Sequence, residues 1–161
     1  MALTHVKIIG SGLIGSSIGL ALVAAGRKVT MVDINPASQA LAQDLMGRTP
    51  TTPVDLTIVA SPLSTVSEVI KGELSQSLNQ KFMDISSVKT NPKVEVSATG
   101  LEMNNFFPTH PMAGREVGGA ESARADLFQD RPWIIDSAGV SQELLQLGRE
   151  VIEICGGHIV D

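Results

Sequence analysis

Three short segments of the sequence contain residue types with the spacing to do chemistry. The first is the glycine-rich run GSGLIG at residues 10–15, the second contains Ser87, and the third contains His110. Histidine is the residue type that titrates nearest neutral pH, so it suits the removal of a proton from an alcohol during oxidation. A serine hydroxyl donates and accepts hydrogen bonds, so Ser87 can hold that alcohol or orient the imidazole. From spacing alone, a structural loop histidine explains His110 equally well.

The glycine-rich run has the context that dinucleotide binding requires. It directly follows a predicted strand at residues 6–9 and opens a predicted helix at residues 13–25. Gly10 permits a tight turn, Gly12 lets the backbone approach a pyrophosphate, and Gly15 lets the helix pack closely on the strand. We therefore expect a dinucleotide to bind at this turn.

Other candidate cofactor contacts surround the same turn. The N–H groups at the helix start, where Leu13 and Ile14 lie, should face the phosphates. Asp33 ends the second predicted strand, and a carboxylate there accepts hydrogen bonds from ribose hydroxyls. Because the Asp33 carboxylate would repel a 2′-phosphate and no arginine lies beside Asp33 in the sequence, we expect NAD rather than NADP. Ser61 follows a later strand on the same edge and either touches the cofactor or is a plain turn serine.

Strands alternate with helices along residues 1–161, which predicts one domain with a doubly wound, mostly parallel α/β sheet of the Rossmann type. The later predicted strands span residues 28–32, 56–60, 81–85, 105–107, 133–136 and 158–160, and the later predicted helices span residues 36–46, 64–78, 92–100, 120–128 and 142–155. Ligands of such sheets bind beyond the carboxyl ends of the strands. We therefore expect Ser87 and His110 in loops at the edge that holds the cofactor.

The composition argues against several classes of protein. With 43% hydrophobic residues the chain should be globular, and 12 basic against 17 acidic residues with 3% aromatics do not suit a nucleic-acid surface. No apolar run reaches the roughly 18 residues of a membrane span, and the start lacks the features of a secretion signal, so we expect a cytoplasmic protein. The histidines are too scattered for a metal site. The lone cysteine, Cys155, is expected to be a small buried hydrophobe.

The same segments resemble a known family, the prephenate and arogenate dehydrogenases. Residues 8–17 (IIGSGLIGSS), residues 84–89 (DISSVK) and residues 110–114 (HPMAG), followed by Glu116 and Gly118, are similar to three motifs of that family in the same order. The resemblance covers essentially the whole chain. It implies a nicotinamide-dependent oxidative decarboxylation of prephenate or arogenate, a small-molecule substrate, to 4-hydroxyphenylpyruvate or tyrosine.

The resemblance also implies roles for individual residues. His110 would hydrogen-bond the ring hydroxyl and help to remove its proton, while Ser87 would hydrogen-bond the same hydroxyl and the imidazole. Glu116 would lie at the mouth of the substrate pocket and influence access. A solvated loop acid is an equally good interpretation of Glu116.

Two departures from the family pattern lead to further expectations. Residues 49–53 (TPTTP) stand where the family carries a longer strand-and-helix stretch, so one sheet element should be missing or reduced to a loop. The family also has a C-terminal helical domain that forms the homodimer and supplies an arginine for the substrate carboxylate. We expect that domain to be absent from these 161 residues, which would then be monomeric or self-associate through exposed apolar surface.

Two other functions stay open at this point. One is a different Rossmann oxidoreductase, of the 3-hydroxyacid dehydrogenase or imine reductase type. The hydroxyacid type would need a catalytic lysine beyond this domain, and the HPMAG segment argues against it. The other is a non-catalytic module that binds NAD without turning over a substrate, which fold alone does not exclude.

Overall fold

Short apolar runs form the strands of the sheet, and more mixed sequences form the helices around it. The computed structural model describes residues 2–86, 92–113 and 119–161. In these ranges the strands are β1 (His5–Ile9), β2 (Lys28–Val32), β3 (Leu56–Val59), β4 (Phe82–Asp84), β5 (Phe106–Pro111), β6 (Pro132–Ile135) and β7 (His158–Val160). The α-helices are α1 (Leu13–Ala24), α2 (Pro36–Met46), α3 (Val66–Leu74), α4 (Pro92–Ser97) and α5 (Gln142–Ile154). Three 3₁₀ turns span Leu63–Thr65, Met103–Asn105 and Ala120–Ser122.

The strands form one sheet in the order β2-β1-β3-β4-β5-β6-β7. All neighbouring strands are parallel except β5 and β6, which are antiparallel. The prediction of a mostly parallel, doubly wound α/β sheet is therefore confirmed. Since β1 lies between β2 and β3, the winding reverses there, and the crevice at the carboxyl ends of β1 and β3 is the switch point where such folds bind ligands.

The register aligns the carboxyl ends of the parallel strands. Ile9 of β1 pairs with Val32 of β2 on one side and with Val59 of β3 on the other. Asp84, the last residue of β4, pairs with Val59 and with Pro108 of β5. Side chains that follow these strands therefore share one edge of the sheet, which we call the carboxyl edge.

Helix starts and ends follow local sequence signals. Asn35 caps α2 by accepting hydrogen bonds from two backbone N–H groups, directly before a proline at the start of the helix. Ser141 caps α5 in the same way, through the N–H of Leu144. Helix α5 is amphipathic and packs so tightly on the sheet that a Cβ on Gly148 would lie 2.5 Å from the ring of Phe107. These contacts cover one face of the strands that lead to the carboxyl edge.

The loop between α2 and β3 contains no strand at residues 47–55, as expected from the TPTTP sequence. His5 holds this loop against the sheet. Its Nδ1 donates to the carbonyl of Thr52 at 2.9 Å, and its Nε2 pairs with the hydroxyl of Thr30 at 2.7 Å. The carboxylate of Asp55 adds a bond from the backbone N–H of His5 at 3.0 Å. These hydrogen bonds thus attach the loop to the sheet in the absence of a strand at residues 47–55.

Several predicted boundaries were wrong. Strand β5 does not end at residue 107 but continues to Pro111, because antiparallel pairing with β6 supplies it with partners. His110 therefore lies in a strand, not in a loop. The predicted helix at residues 120–128 is only the 3₁₀ turn Ala120–Ser122 followed by turns, and the predicted helices at residues 64–78 and 92–100 are shorter than expected. Within the described part of the chain, no helix has the length and apolar character to cross a membrane.

Candidate functional site

The glycine-rich turn after β1 is built on the packing of two of its glycines. Gly10 has a φ of +110°, and a Cβ there would lie 2.6 Å from the carbonyl carbon and oxygen of Ala60. A Cβ on Gly15 would overlap the carbonyl oxygen of Gly10. Both positions exclude a side chain, so the end of β1, the turn after β3 and the start of α1 are in direct backbone contact.

Gly12 differs from these two glycines because it has space around it. It is exposed, and a Cβ placed on it would meet no atom within 4 Å among the described residues. It is also the N-cap of α1, and no described side chain caps the helix or places a negative charge in its first turn. The N–H groups of the first turn, where Leu13 and Ile14 lie, are therefore not satisfied by side chains and face the open side of Gly12. An anion fits this arrangement.

Asp33 follows β2 and is fixed beside the turn by several hydrogen bonds. Its Oδ2 accepts from the backbone N–H and the hydroxyl of Ser11, at 2.9 and 2.7 Å. Its Oδ1 accepts from the N–H of Asn35 at 2.9 Å. Partial burial raises the pKa of Asp33, but the hydrogen bonds from Ser11 and Asn35 outweigh it and the pKa lies below its ordinary value. The carboxylate is thus ionised and oriented at neutral pH.

A cleft of about 190 Å³ opens between the glycine turn and Asp33. Its walls come from the turn, from the end of β2, from α2 and from the 3₁₀ turn after β5. The lining residues are Ser11, Gly12, Asp33, Ser38, Leu41, Gly119, Ala120 and Glu121. The cleft lies at the carboxyl ends of β1 and β2, beside the switch point of the sheet, where part of a nucleotide would be expected.

Ser61 borders the glycine turn but makes a local contact with its hydroxyl. The backbone N of Ser61 would lie 2.8 Å from a Cβ on Gly10. Its Oγ accepts a hydrogen bond from the hydroxyl of Thr65 at 3.0 Å, within the 3₁₀ turn that precedes α3. The structure thus places Ser61 at the carboxyl edge in the geometry of a turn serine.

Further along the carboxyl edge, Asp84 ends β4 as a buried acid that is only 1% exposed. Its Oδ1 accepts hydrogen bonds from the backbone N–H and the hydroxyl of Ser86, at 3.1 and 2.7 Å. Burial raises the pKa of Asp84 above its ordinary value, although the bonds from Ser86 and Ile85 and the nearby imidazole of His110 oppose the rise. Asp84 is a site residue that the sequence reasoning did not assign, although it is the only polar residue in β4.

His110 lies on the same face of the sheet as Asp84. Asp84 pairs in register with Pro108, and His110 is two residues further along β5, so the side chains of all three point to one side. The Nδ1 atom of His110 is buried and has no hydrogen-bond partner in the described part of the chain. Buried polar atoms without a partner are rare, and a catalytic role is one of the explanations for such an atom.

Thr109 points to the opposite face and fixes the strand beneath His110. Its hydroxyl donates to the backbone carbonyl of Asp84 at 2.7 Å and accepts from the indole N–H of Trp133 at 3.0 Å. One side chain thereby connects β4, β5 and β6. His110 and the cleft beside Asp33 thus lie at the same edge of one sheet.

Two predicted site residues, Ser87 and Glu116, lie outside the described residues. Their places relative to His110 therefore stay predictions. Among the residues that are described, no three His, Cys, Asp or Glu side chains group together as metal ligands would. Glu121 in the nucleotide cleft was missed, because nothing in the sequence distinguishes it from a solvated loop acid.

Comparison with known proteins gives a consistent result. Residues 18–161 match the family described as prephenate dehydrogenase, nucleotide-binding domain. The probable prephenate dehydrogenase NovF of Streptomyces niveus is 34% identical over 153 residues, which is 92% of this chain and 42% of that protein. The cyclohexadienyl dehydrogenase of Zymomonas mobilis is 29% identical over 143 residues, 81% of this chain and 48% of that protein. The chain thus spans less than half of the curated relatives it matches.

Solved structures agree with this match. The crystal structure of prephenate dehydrogenase from Aquifex aeolicus, in complex with hydroxyphenyl propionate and NAD⁺, superposes with a TM-score of 0.83 at 26% identity. The match covers 99% of this chain and 60% of that one. Arogenate dehydrogenase from Synechocystis shares the fold, with a TM-score of 0.79 at 20% identity, over 98% of this chain and 59% of that one.

Proposed function

Because the chain belongs to the prephenate dehydrogenase family, whose nucleotide-binding domain it matches, we propose that it forms the cofactor-binding part of an NAD-dependent dehydrogenase acting on prephenate or arogenate. The observation that carries this proposal is the contrast within the glycine turn. Gly10 and Gly15 are enclosed by backbone, whereas Gly12 and the uncapped start of α1 face open space. The enclosed glycines shape the turn, and the open one leaves room for a pyrophosphate.

The cofactor in this proposal is NAD, and the residues present fit it. The first-turn N–H groups of α1, with Leu13 and Ile14, would hold the pyrophosphate. Asp33 would accept hydrogen bonds from the ribose, because its carboxylate is ionised and Ser11 holds it in place. The same negative charge disfavours the 2′-phosphate of NADP. Ser61 borders the turn and is a further candidate contact.

NAD, when bound, accepts the hydride that leaves the ring carbon carrying the hydroxyl group. In our proposal His110 takes the proton of that hydroxyl as general base. The substrate then loses its ring carboxylate as CO₂, the electron pair of the broken C–C bond makes the ring aromatic, and the resulting phenolate oxygen takes the proton back from His110. Asp84, on the same face, places a negative charge near the imidazolium that forms. Ser87 would hold the hydroxyl and the imidazole, and Glu116 would influence access to the pocket.

The remainder of the substrate site would come from a C-terminal helical domain. The resemblance to the family implies such a domain, and the relatives are longer than this chain. In our proposal it pairs two copies of the protein and supplies an arginine to the substrate carboxylate. The choice between prephenate and arogenate would be made there, because the keto or amino group lies away from the nucleotide.

Calorimetric titration of this chain with NADH and NADPH tests the cofactor assignment. The sharpest variant is Gly12→Ala, since a Cβ there meets no described atom and the φ of Gly12 is −70°, which alanine adopts easily. We expect the fold to be retained and the affinity for NADH to fall by at least about tenfold, because the methyl group occupies the pyrophosphate position.

Gly72→Ala is the matched control. Gly72 is an exposed glycine in α3 with equally open surroundings, far from the turn. Its replacement should stabilise the helix by about 0.5–1 kcal/mol and leave NADH binding unchanged. If neither nucleotide bound to the parent chain, or if both variants bound NADH equally well, the proposed cofactor site would be wrong.

Formation of NADH in the presence of prephenate, measured on the same sample, tests the activity. Turnover by this chain alone would support the activity and overturn the need for a further domain. Binding without turnover calls for the chain to be joined to the C-terminal part of the Streptomyces niveus relative. Turnover restored in that fusion supports the dehydrogenase, and continued inactivity supports a non-catalytic NAD-binding module.

A further inference from the structure

The cleft beside the glycine turn is lined by a second acidic residue in addition to Asp33. Glu121, in the 3₁₀ turn Ala120–Ser122, is exposed and lines the cleft together with Ser11, Gly12 and Asp33. We propose that Glu121 is a specificity-determining residue, which accepts a hydrogen bond from the ribose of NAD and excludes the 2′-phosphate of NADP. This inference rests on the proposed function, since it assumes a nucleotide in the cleft.

The turn that carries Glu121 is fixed by packing against the nucleotide-binding elements. Ala120 is buried, and the backbone N–H of Arg124 donates to the hydroxyl of Ser17 at 3.1 Å. Ser17 itself is fully buried in α1, the helix that begins at the glycine turn. The carboxylate of Glu121 lies over Gly119, where a Cβ would be 2.9 Å from its Oε2. The position of Glu121 is therefore set relative to α1.

Asp33 has too few free lone pairs to accept hydrogen bonds from both hydroxyl groups of a ribose, so a second residue must supply the other acceptor. An ionised carboxylate offers about four lone-pair sites. Three of those on Asp33 are taken, two by Ser11 and one by Asn35, whereas a ribose presents two hydroxyl groups. The carboxylate of Glu121 makes no hydrogen bond or ion pair with any described residue. It is the other carboxylate among the described residues that line the cleft, so it could accept a hydrogen bond from the remaining hydroxyl.

The charges that line the cleft also affect the choice between NAD and NADP. Two carboxylates line the cleft, and no lysine or arginine is among the described residues that line it. A 2′-phosphate placed between Asp33 and Glu121 would be repelled by both carboxylates and would find no cation to pair with among the described lining residues. Glu121 would therefore strengthen the preference for NAD over NADP that Asp33 alone produces only in part.

Calorimetric titration of the Glu121→Gln variant with NADH and NADPH tests the inference. Glutamine keeps the size of the side chain and removes its charge. We expect the affinity for NADPH to rise by about two- to fivefold, the range of one exposed charge contact, and this gain should shrink at high salt. The affinity for NADH should stay level or fall slightly. Glu102→Gln is the matched control, because Glu102 is an exposed acid at the opposite edge of the sheet.

Each result decides a different point. A changed ratio of NADH to NADPH affinity in Glu121→Gln, with the ratio of Glu102→Gln unchanged, supports the inference. An unchanged ratio in Glu121→Gln with normal NADH binding overturns it and leaves the proposed function intact. Equal gains for both nucleotides would place Glu121 beside the pyrophosphate and also overturn it. Failure of the parent chain to bind either nucleotide overturns the proposed function and this inference together.

Discussion

His5 and His110 are carried by strands of the same sheet, at opposite edges and with opposite hydrogen bonding. His5 begins β1, is 2% exposed, and has partners for both ring nitrogens. His110 lies near the end of β5, and its buried Nδ1 has no partner in the described ranges. The hydrogen bonds of His5 hold neighbouring segments together, whereas the Nδ1 of His110 makes no such bond, which is the contrast expected between a structural and a functional histidine.

The sharpest test of this contrast is the turnover of a His110→Asn variant. We expect prephenate oxidation, in a form of the protein that turns over, to fall by about 10²- to 10⁴-fold, the usual contribution of a general base. The affinity for NADH should stay the same, because His110 lies outside the nucleotide cleft. A variant with unchanged kcat and a raised KM would assign His110 to substrate binding instead of proton removal.

A substitution of His5, at the opposite edge of the sheet, should change the stability of the protein. We expect His5→Ala to lower the free energy of unfolding by about 2–4 kcal/mol, because it leaves the carbonyl of Thr52 and the hydroxyl of Thr30 without partners. Urea unfolding followed by circular dichroism measures this loss. His158→Ala, at an exposed position in β7, is the control and should change stability by less than about 0.5 kcal/mol. Equal losses for both variants would remove the structural role given to His5.

A smaller effect on stability is expected when Asp84, the buried acid beside His110, is replaced. Its folded-state pKa is raised above the ordinary value of 3.8, so the folded protein binds the proton more tightly than the unfolded chain. The stability from this group is thus fully present below the ordinary pKa and is lost as the pH rises through the folded pKa. Asp84→Asn removes this dependence while its amide oxygen can still accept from Ser86.

Urea unfolding of both proteins between pH 4 and pH 7 measures the Asp84 effect. The stability of Asp84→Asn relative to the parent should increase as the pH rises over this range. If the difference in stability between the two proteins stayed constant with pH, burial would not raise the pKa of Asp84 in the folded protein. The matched acid is Asp33, whose pKa is shifted the other way, so its protonation in the folded state requires a lower pH.

Local sequence signals were enough to predict the nucleotide end of the molecule. The turn at residues 10–15, the strand that precedes Asp33 and the cap of α2 each have a sequence signal within a few residues, although Ala60 and Ser11 complete the contacts of Gly10 and Asp33 from distant positions in the chain. The sheet type, predicted from the alternation of strands and helices, and the family, predicted from the motifs at residues 8–17, 84–89 and 110–114, are both confirmed. The roles of the individual site residues, Ser87 and Glu116 included, stay predictions.

The region around His110 was predicted less well because its structure depends on contacts between residues that are distant in sequence. His110 was expected in a loop, but β5 is extended by pairing with β6, where His110 faces Ile134. No periodicity within residues 105–111 indicates that partner. Similarly, Ala120 and Glu121 were expected in a helix, whereas packing against α1 holds only a single 3₁₀ turn. Non-local pairing, more than local propensity, decided both segments.

The indole of Trp133 also makes the molecule its own optical probe. Trp133 is the only tryptophan of the chain, is fully buried in β6, and lies 5.1 Å from the ring of Phe128. Through Thr109 it is hydrogen-bonded to the strand that carries His110. Its emission therefore reports the packing of the carboxyl edge. Binding events that rearrange this edge, or that bring a reduced nicotinamide close enough for energy transfer, would be visible as quenching without any added label.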